Sequence, residues 1–250
     1  MNTVLEAKDL TKVYNGTVAV DHLNLEVREG EIFGFLGPNG SGKTTAILMF
    51  MGLTEPTEGT TRVLGFDPVR EPLEVKRRVG YLPEHVGFYH DMTARENLRF
   101  VANLNGIKGE EAERRIADAL ETVGLAEEAD KLTGAYSRGM RQRLGLAELL
   151  IKDPRLVFLD EPTLGLDPDG IVRMLDLIAD LSKERGITVF FSSHLLNQVE
   201  RISTRVGIML KGRLVACGSI EELARQAGVT GSLEDVYQHF FQQVPQQKEA

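Results

Sequence analysis

The chain has one cysteine, Cys217, so no internal disulfide can form, and this usage is compatible with a reducing compartment. It has no charge-free apolar stretch of about 18 residues, which excludes a bilayer-spanning helix. The start, Met1–Asp9, has neither a basic region nor an apolar one, so no signal peptide is predicted and a cytoplasmic location is expected. Nor is there a surplus of positive charge. The net charge of −8 at pH 7 gives no electrostatic footprint for nucleic acid, although a local basic patch is compatible with it. What is present is an ordinary globular composition, 42% hydrophobic and 26% charged. At 250 residues the chain is long enough to bury a sizeable core as one large or two small domains.

The most informative run is Gly37-Pro38-Asn39-Gly40-Ser41-Gly42-Lys43-Thr44, which fits G-x-x-x-x-G-K-[ST]. Glu31–Leu36 before it reads as a short buried strand. Thr45–Met51 after it reads as a helix, with Gly52 set to end it. In that setting the glycines let backbone N–H groups close around phosphate oxygens. The helix start adds partial positive charge, and Lys43 reaches toward the outer phosphates. Thr44 would offer its hydroxyl to a magnesium ion bridging the β and γ phosphates. A nucleoside triphosphate site is therefore expected over Gly37–Thr45.

Upstream, Val4–Leu10 and His22–Val27 alternate and are separated by the turn-prone Tyr14-Asn15-Gly16, which predicts an antiparallel β element. Thr60–Leu64 and Val79–Leu82 are further strand candidates. From about 85 to 152 the pattern turns helical, over Thr93–Leu104, Glu110–Val123 and Arg138–Ile151. Then βα alternation returns. Leu156–Leu159 reads as a strand, Ile171–Leu181 as a helix capped by Asp167 with Pro168 first, and Thr188–Ser192 as a strand. A helix over Leu195–Ile202 and a hairpin over Val206–Val215, turning at Lys211-Gly212, come next. Two helices, Ile220–Gln226 and Leu233–Gln243, precede a polar tail rich in glutamine. The predicted fold is α/β, a phosphate-loop core with an N-terminal antiparallel β element and an inserted helical subdomain. Residues 1–84 and 153–218 would form the nucleotide-binding core, 85–152 the helical subdomain, and 219–250 the terminal helices and tail.

Leu156-Val157-Phe158-Leu159-Asp160-Glu161 delivers two carboxylates at the end of an apolar strand. Asp160 is expected to hold magnesium and Glu161 to polarise an attacking water. Such a strand end is often merely structural, and the phosphate loop in the same chain is what favours chemistry. Ser137 and Gly139 open a helix and could bind an anion, although taken alone they are better explained by ordinary capping by Ser137. His194 follows the pair Ser192-Ser193 and could reach a γ-phosphate, and Tyr14 could stack on a purine. His85, His90 and Asp91 match no standard metal-ligand spacing. Cys217 reads as a small buried residue of the terminal hairpin.

Together these parts resemble the ATP-binding-cassette (ABC) ATPases, the nucleotide-binding subunits of transporters. The resemblance runs from about Leu5 to Ser219. It rests on the phosphate loop, the Ser137–Arg143 run, Asp160-Glu161, the Glu161–Pro168 run and Ser192-Ser193-His194, in that order. It implies ATP and Mg²⁺ as ligands, with Tyr14 on the adenine and Glu161, His194 and Lys43 in catalysis. Thr44, Asp160 and Glu84 would be the metal ligands. Ser137 and Gly139 would contact the γ-phosphate held by an opposite subunit, and Asp167 would communicate across a homodimer that sandwiches two ATP molecules.

It also implies separate transmembrane permease subunits, a peripheral position at the inner face of the cell membrane, and no nucleic acid. Two departures stand out. The usual Leu-Ser-Gly-Gly-Gln is here Tyr136-Ser137-Arg138-Gly139-Met140, and Glu84 stands where a glutamine is usual. Both look like subunits of ABC-2-type exporters. An importer's ATPase would share every catalytic residue. Members that act on DNA or ribosomes carry coiled-coil insertions or paired cassettes, and this chain has neither.

Overall fold

The computed structural model describes residues 2–229 and 232–243, so the polar tail beyond Gln243 lies outside the described residues. Strands β1 (Thr3–Tyr14) and β2 (Thr17–Arg28) form an antiparallel hairpin. Its turn residues Asn15 and Gly16 have φ of 48° and 82°, the left-handed pair that a two-residue type I′ turn requires. Both strands are longer than their alternating segments. Register shifts between Ala7 and Leu10, and between Leu10 and Lys12, break the period of two. Side chains serve the interrupted ladder there: Asp9 N–H donates to Asn24 Oδ1 (3.0 Å) and His22 N–H to Thr11 Oγ1 (3.1 Å).

Next come β3 (Ile32–Leu36), α1 (Lys43–Phe50) and β4 (Glu58–Val63). Helix α2 (Pro72–Arg78) was not expected. Val75 is its one buried residue, so it carries no apolar period to read. Strand β5 (Val79–Leu82) stops at Pro83. Helices α3 (Ala94–Leu104), α4 (Gly109–Thr122) and α5 (Arg138–Leu150) fill the expected helical segment. The rest is β6 (Leu156–Asp160), α6 (Pro168–Arg185), β7 (Thr188–Ser193), α7 (Leu196–Ile202), β8 (Arg205–Leu210), β9 (Arg213–Gly218), α8 (Ile220–Ala227) and α9 (Leu233–Gln243).

The chain divides into two compact units, Met1–Lys76 with Thr188–Ala250, and Arg77–Ile187. The helical segment thus shares its unit with β5, β6 and α6. In the first unit β2, β1 and β4 form an antiparallel sheet, and β7, β3, β8 and β9 follow one another in a second. β3 pairs in parallel with β7 and β8, and β9 closes the edge antiparallel to β8. Every residue of β3 and β7 is buried, which is why both read as unbroken apolar runs. Phe190 anchors this core, with ring centroids 5.4 Å from Phe33, 5.1 Å from Phe35 and 5.7 Å from Phe50.

In the second unit β5 and β6 pair in parallel, Val79 to Leu156 through Leu82 to Leu159. Helix α5 lies close on β5, because a Cβ on Gly145 would come 2.5 Å from Leu82 Cδ1. Lys152 Nζ donates to Val79 O at 2.7 Å from the other end. Thr93 and Glu96 form a reciprocal capping box at the start of α3. Asp167 caps α6, Pro168 is its first residue, and Gly186 (φ 67°) ends it. Arg185, in the last turn of α6, clasps Asp118 of α4 with two 3.0 Å hydrogen bonds.

Phe190→Ala removes the ring that three others share. It is expected to lower unfolding free energy by about 3–5 kcal/mol in guanidinium titration. A loss under about 1 kcal/mol would mean that the core closes without it.

Candidate active site

The register of β3 pairs Leu36 with Ser193 of β7 and with Ile208 of β8, so Gly37 leaves the sheet between two strands. Its N–H donates to Ser193 O at 3.2 Å. A Cβ at Gly37 would collide with the Met209 carbonyl oxygen and lie 2.7 Å from Ser41 Oγ. Gly42 has φ +100°, and a Cβ there would strike the Ala19 carbonyl oxygen. These two positions admit glycine alone without moving backbone. The β8–β9 turn supports the loop: Gly212 N–H donates to Ser41 O (3.1 Å), and Gly212 O accepts from Asp21 N–H (2.8 Å). The sequence marked that turn as a hairpin and gave no sign that it braces the loop.

Lys43 is 6% exposed and folds back so that Nζ donates to Gly37 O (2.7 Å) and Pro38 O (3.2 Å). Helix α1 therefore begins with no side-chain cap and no acidic residue in its first turn. The partial positive charge of that helix start suits an anionic ligand. Ser41 Oγ is buried with no hydrogen-bond partner. A closed loop, an uncapped helix start, a buried ammonium and an orphaned hydroxyl fit phosphate oxygens. Pro38, Asn39, Gly40 and Thr44 are exposed on the rim, and Thr45 is half-buried.

The first unit also brings His194 to this loop, one residue past the Ser193 carbonyl that holds Gly37. Ser193 Oγ accepts from Leu195 N–H (3.0 Å) and donates to Gln198 Oε1 (3.3 Å), which fixes the turn carrying the imidazole. Tyr14 ends β1, 43% exposed, with Lys12 Nζ 4.8 Å from its ring centroid. Thr17, Val18 and Gly40 line a cleft of about 820 Å³; Tyr14 is not among its lining residues.

In the second unit Asp160 ends β6 and Glu161 follows it, 2% and 7% exposed. Glu161 has φ 48°, a left-handed backbone that costs a non-glycine residue about 1–2 kcal/mol. Strain at a buried carboxylate is a signature of functional positions. Tyr81 of β5 lies close by: burial, then the charges of Asp160 and Glu84, push its phenol up to about 12. Glu84 Oε1 is 3.5 Å from His85 Nδ1. Among the described residues no group of three or more His, Cys, Asp or Glu side chains could hold a metal ion alone. Within this unit Asp160 and Glu84 each carry hard carboxylate oxygens, the donor type that magnesium takes.

Ser137, Gly139 and Asp167 line one cavity of about 270 Å³. Ser137 Oγ accepts from Met140 N–H (3.2 Å) and Asp167 Oδ1 from Gly170 N–H (2.8 Å), so both also cap helices. Tyr136 is buried beneath them, its hydroxyl donating to Glu128 O at 2.6 Å. Cys217 proves half-buried, not buried. It lies 3.5 Å from Arg205 Nη2, with its thiol pushed up chiefly by desolvation.

A family model described as ABC transporter matches residues 20–164. Over 215 residues the sequence is 48% identical to the bacitracin transport ATP-binding protein BcrA of Bacillus licheniformis, covering 86% of this chain and 69% of that one. The chain belongs to the ABC transporter ATP-binding family. As an ABC ATPase subunit it binds nucleotide and hydrolyses ATP. It is also 38% identical to the daunorubicin/doxorubicin resistance ATP-binding protein DrrA of Streptomyces peucetius, over 91% of this chain and 70% of that one. A solved ATP-binding subunit of an ABC transporter superposes with TM-score 0.85 at 31% identity, over 96% of this chain and all of that one. The dimeric cassette MJ0796 gives 0.76 at 26% identity, over 86% and 98%.

Gly42→Ala forces a left-handed alanine, at about 1–2 kcal/mol, into the space of the Ala19 carbonyl. An ATP affinity at least about tenfold weaker, with an unchanged circular dichroism spectrum, is the expected outcome of titration with a fluorescent ATP analogue. Undiminished affinity would show that the loop does not cradle the phosphates.

Proposed function

We propose that the chain is the ATPase subunit of an ABC-2-type exporter, acting at the cytoplasmic face of the membrane on separate permease subunits. The observation that carries this reading is the phosphate loop closed on the buried ammonium of Lys43, before a helix start with no cap of its own. The export assignment draws on relatives named for bacitracin transport and for daunorubicin/doxorubicin resistance. Among the described residues no helix is long and apolar enough to cross a membrane, in keeping with permeases on other chains.

Residues 37–45 hold the triphosphate in this account, and Tyr14 stacks on the adenine. Thr44, Asp160 and Glu84 would hold Mg²⁺, which would supply charge neutralisation to the triphosphate. Glu161 orients and deprotonates the attacking water, His194 donates to the γ-phosphate, and Lys43 offsets charge developing on the outer oxygens. Ser137 and Gly139 address the γ-phosphate bound by a second copy of the chain, with Asp167 at the seam. Closure of that homodimer on ATP drives the permeases, and hydrolysis reopens it.

The test is steady-state ATP hydrolysis with magnesium across protein concentrations. Turnover per chain is expected to rise with concentration. Glu161→Gln should cut it about 10²–10⁴-fold while leaving ATP bound and the dimer closed. Ser137→Ala should also suppress it. Concentration-independent turnover that ignores Ser137 would mean a site complete within one chain, and this reading would be withdrawn.

A further inference from the structure

We propose that Arg138 is a positioning residue whose guanidinium face holds the Thr163–Asp167 turn against the first turn of α5, so that Ser137 and Asp167 are presented together. The inference rests on the ATPase reading above and adds a residue that this reading leaves without a role.

The contact is defined by Gly165. Its φ is +70°, and a Cβ built on it would lie 2.5 Å from Arg138 Cζ, 2.5 Å from Nη1 and 2.8 Å from Nε. Near-equal distances to three atoms of one planar group mean that its flat face covers the Gly165 backbone. A Cβ at 165 would push the guanidinium off this face, and a lysine ammonium has no face to stack. One position further along, the two segments meet again. There a Cβ on Gly139 would lie 3.9 Å from Leu166 Cδ2, an ordinary contact. The tight point of the junction is therefore Arg138.

What the junction holds matters for the site. The turn begins at Glu161, with Leu164 N–H donating to Glu161 O (3.0 Å) and Leu166 N–H to Thr163 O (3.2 Å). It ends at Asp167, whose carboxylate accepts from Gly170 N–H. The same short segment thus starts at the strained carboxylate and ends at the residue sharing the cavity with Ser137. Ser137 is fixed within α5 by its own cap bond to Met140 N–H. Removing the guanidinium leaves Ser137 in place and frees the turn. The quantity at risk is the position of the turn relative to Ser137.

The experiment compares wild type, Arg138→Ala, Arg138→Lys, Gly165→Ala and the double variant Arg138→Ala/Gly165→Ala. Arg138→Ala is expected to lower kcat about 10–100-fold with KM for ATP and thermal midpoint unchanged, because the misplacement is felt only when the site assembles. Arg138→Lys should not restore it. Gly165→Ala displaces the guanidinium, so the double variant should lose less than the product of the single losses. Independently of turnover, amide hydrogen exchange at Leu164 and Leu166 should be faster in Arg138→Ala. Unchanged exchange at those amides overturns the brace, as does full rescue by lysine or multiplicative loss in the double variant. If wild type hydrolyses ATP and Arg138→Ala matches it, the brace fails and the ATPase reading stands. If wild type does not hydrolyse ATP, the ATPase reading fails and the exchange result alone decides the brace.

Discussion

Lys43 sets the constraint on which the first unit depends. A buried ammonium is tolerated only when it is hydrogen-bonded, and the carbonyls of Gly37 and Pro38 are its partners. Those carbonyls point inward only while the loop keeps its shape, which requires glycine at 37 and 42 and anchorage at Ser193 and Gly212. The parallel pairing of β3 with β7 and β8 and the tight β8–β9 turn serve that anchorage. The uncapped start of α1, with its partial positive charge, suits an anion of high charge.

The remaining residues of the proposed site belong to the unit Arg77–Ile187. Three carboxylates, Asp160, Glu161 and Glu84, lie at or just past the ends of the paired strands β5 and β6, and two helix caps, Ser137 and Asp167, share one cavity. The observed capping is compatible with the ligand roles proposed for these two residues. A side chain that fixes a helix start also fixes the N–H groups around it, and a rigid anion site needs both. The left-handed backbone at Glu161 has a similar logic, because strain persists only where surrounding structure over-determines it.

Much of this was legible in the sequence, for identifiable reasons. Strands β3, β6 and β7 are buried throughout and announce themselves as apolar runs; α6 carries Asp167, Pro168 and Gly186 at the positions that helix ends favour. The phosphate loop was legible because its glycines and lysine stand at a fixed spacing between an apolar strand and a helix; the distant carbonyls of Ala19 and Met209 that demand those glycines were not. Less legible was whatever depends on long-range contact. Helix α2 buries one side chain, and the bulges in β1 and β2 disguise their length. The half-exposure of Cys217 follows from an edge strand that composition does not reveal. Arg138 looked like a departure from a family pattern, and only its stacking on Gly165, 27 positions away, gives it a role.

The most direct test of the central claim, a site completed by two copies of the chain, is a mixing experiment. Glu161→Gln and Ser137→Ala chains are each expected to be nearly inactive alone. In a mixed dimer one site would pair an intact Glu161 with an intact Ser137. Random pairing in equal amounts should therefore restore about a quarter of wild-type turnover. Restored turnover that grows with mixing is the result this account predicts. A mixture no more active than its two components would contradict it.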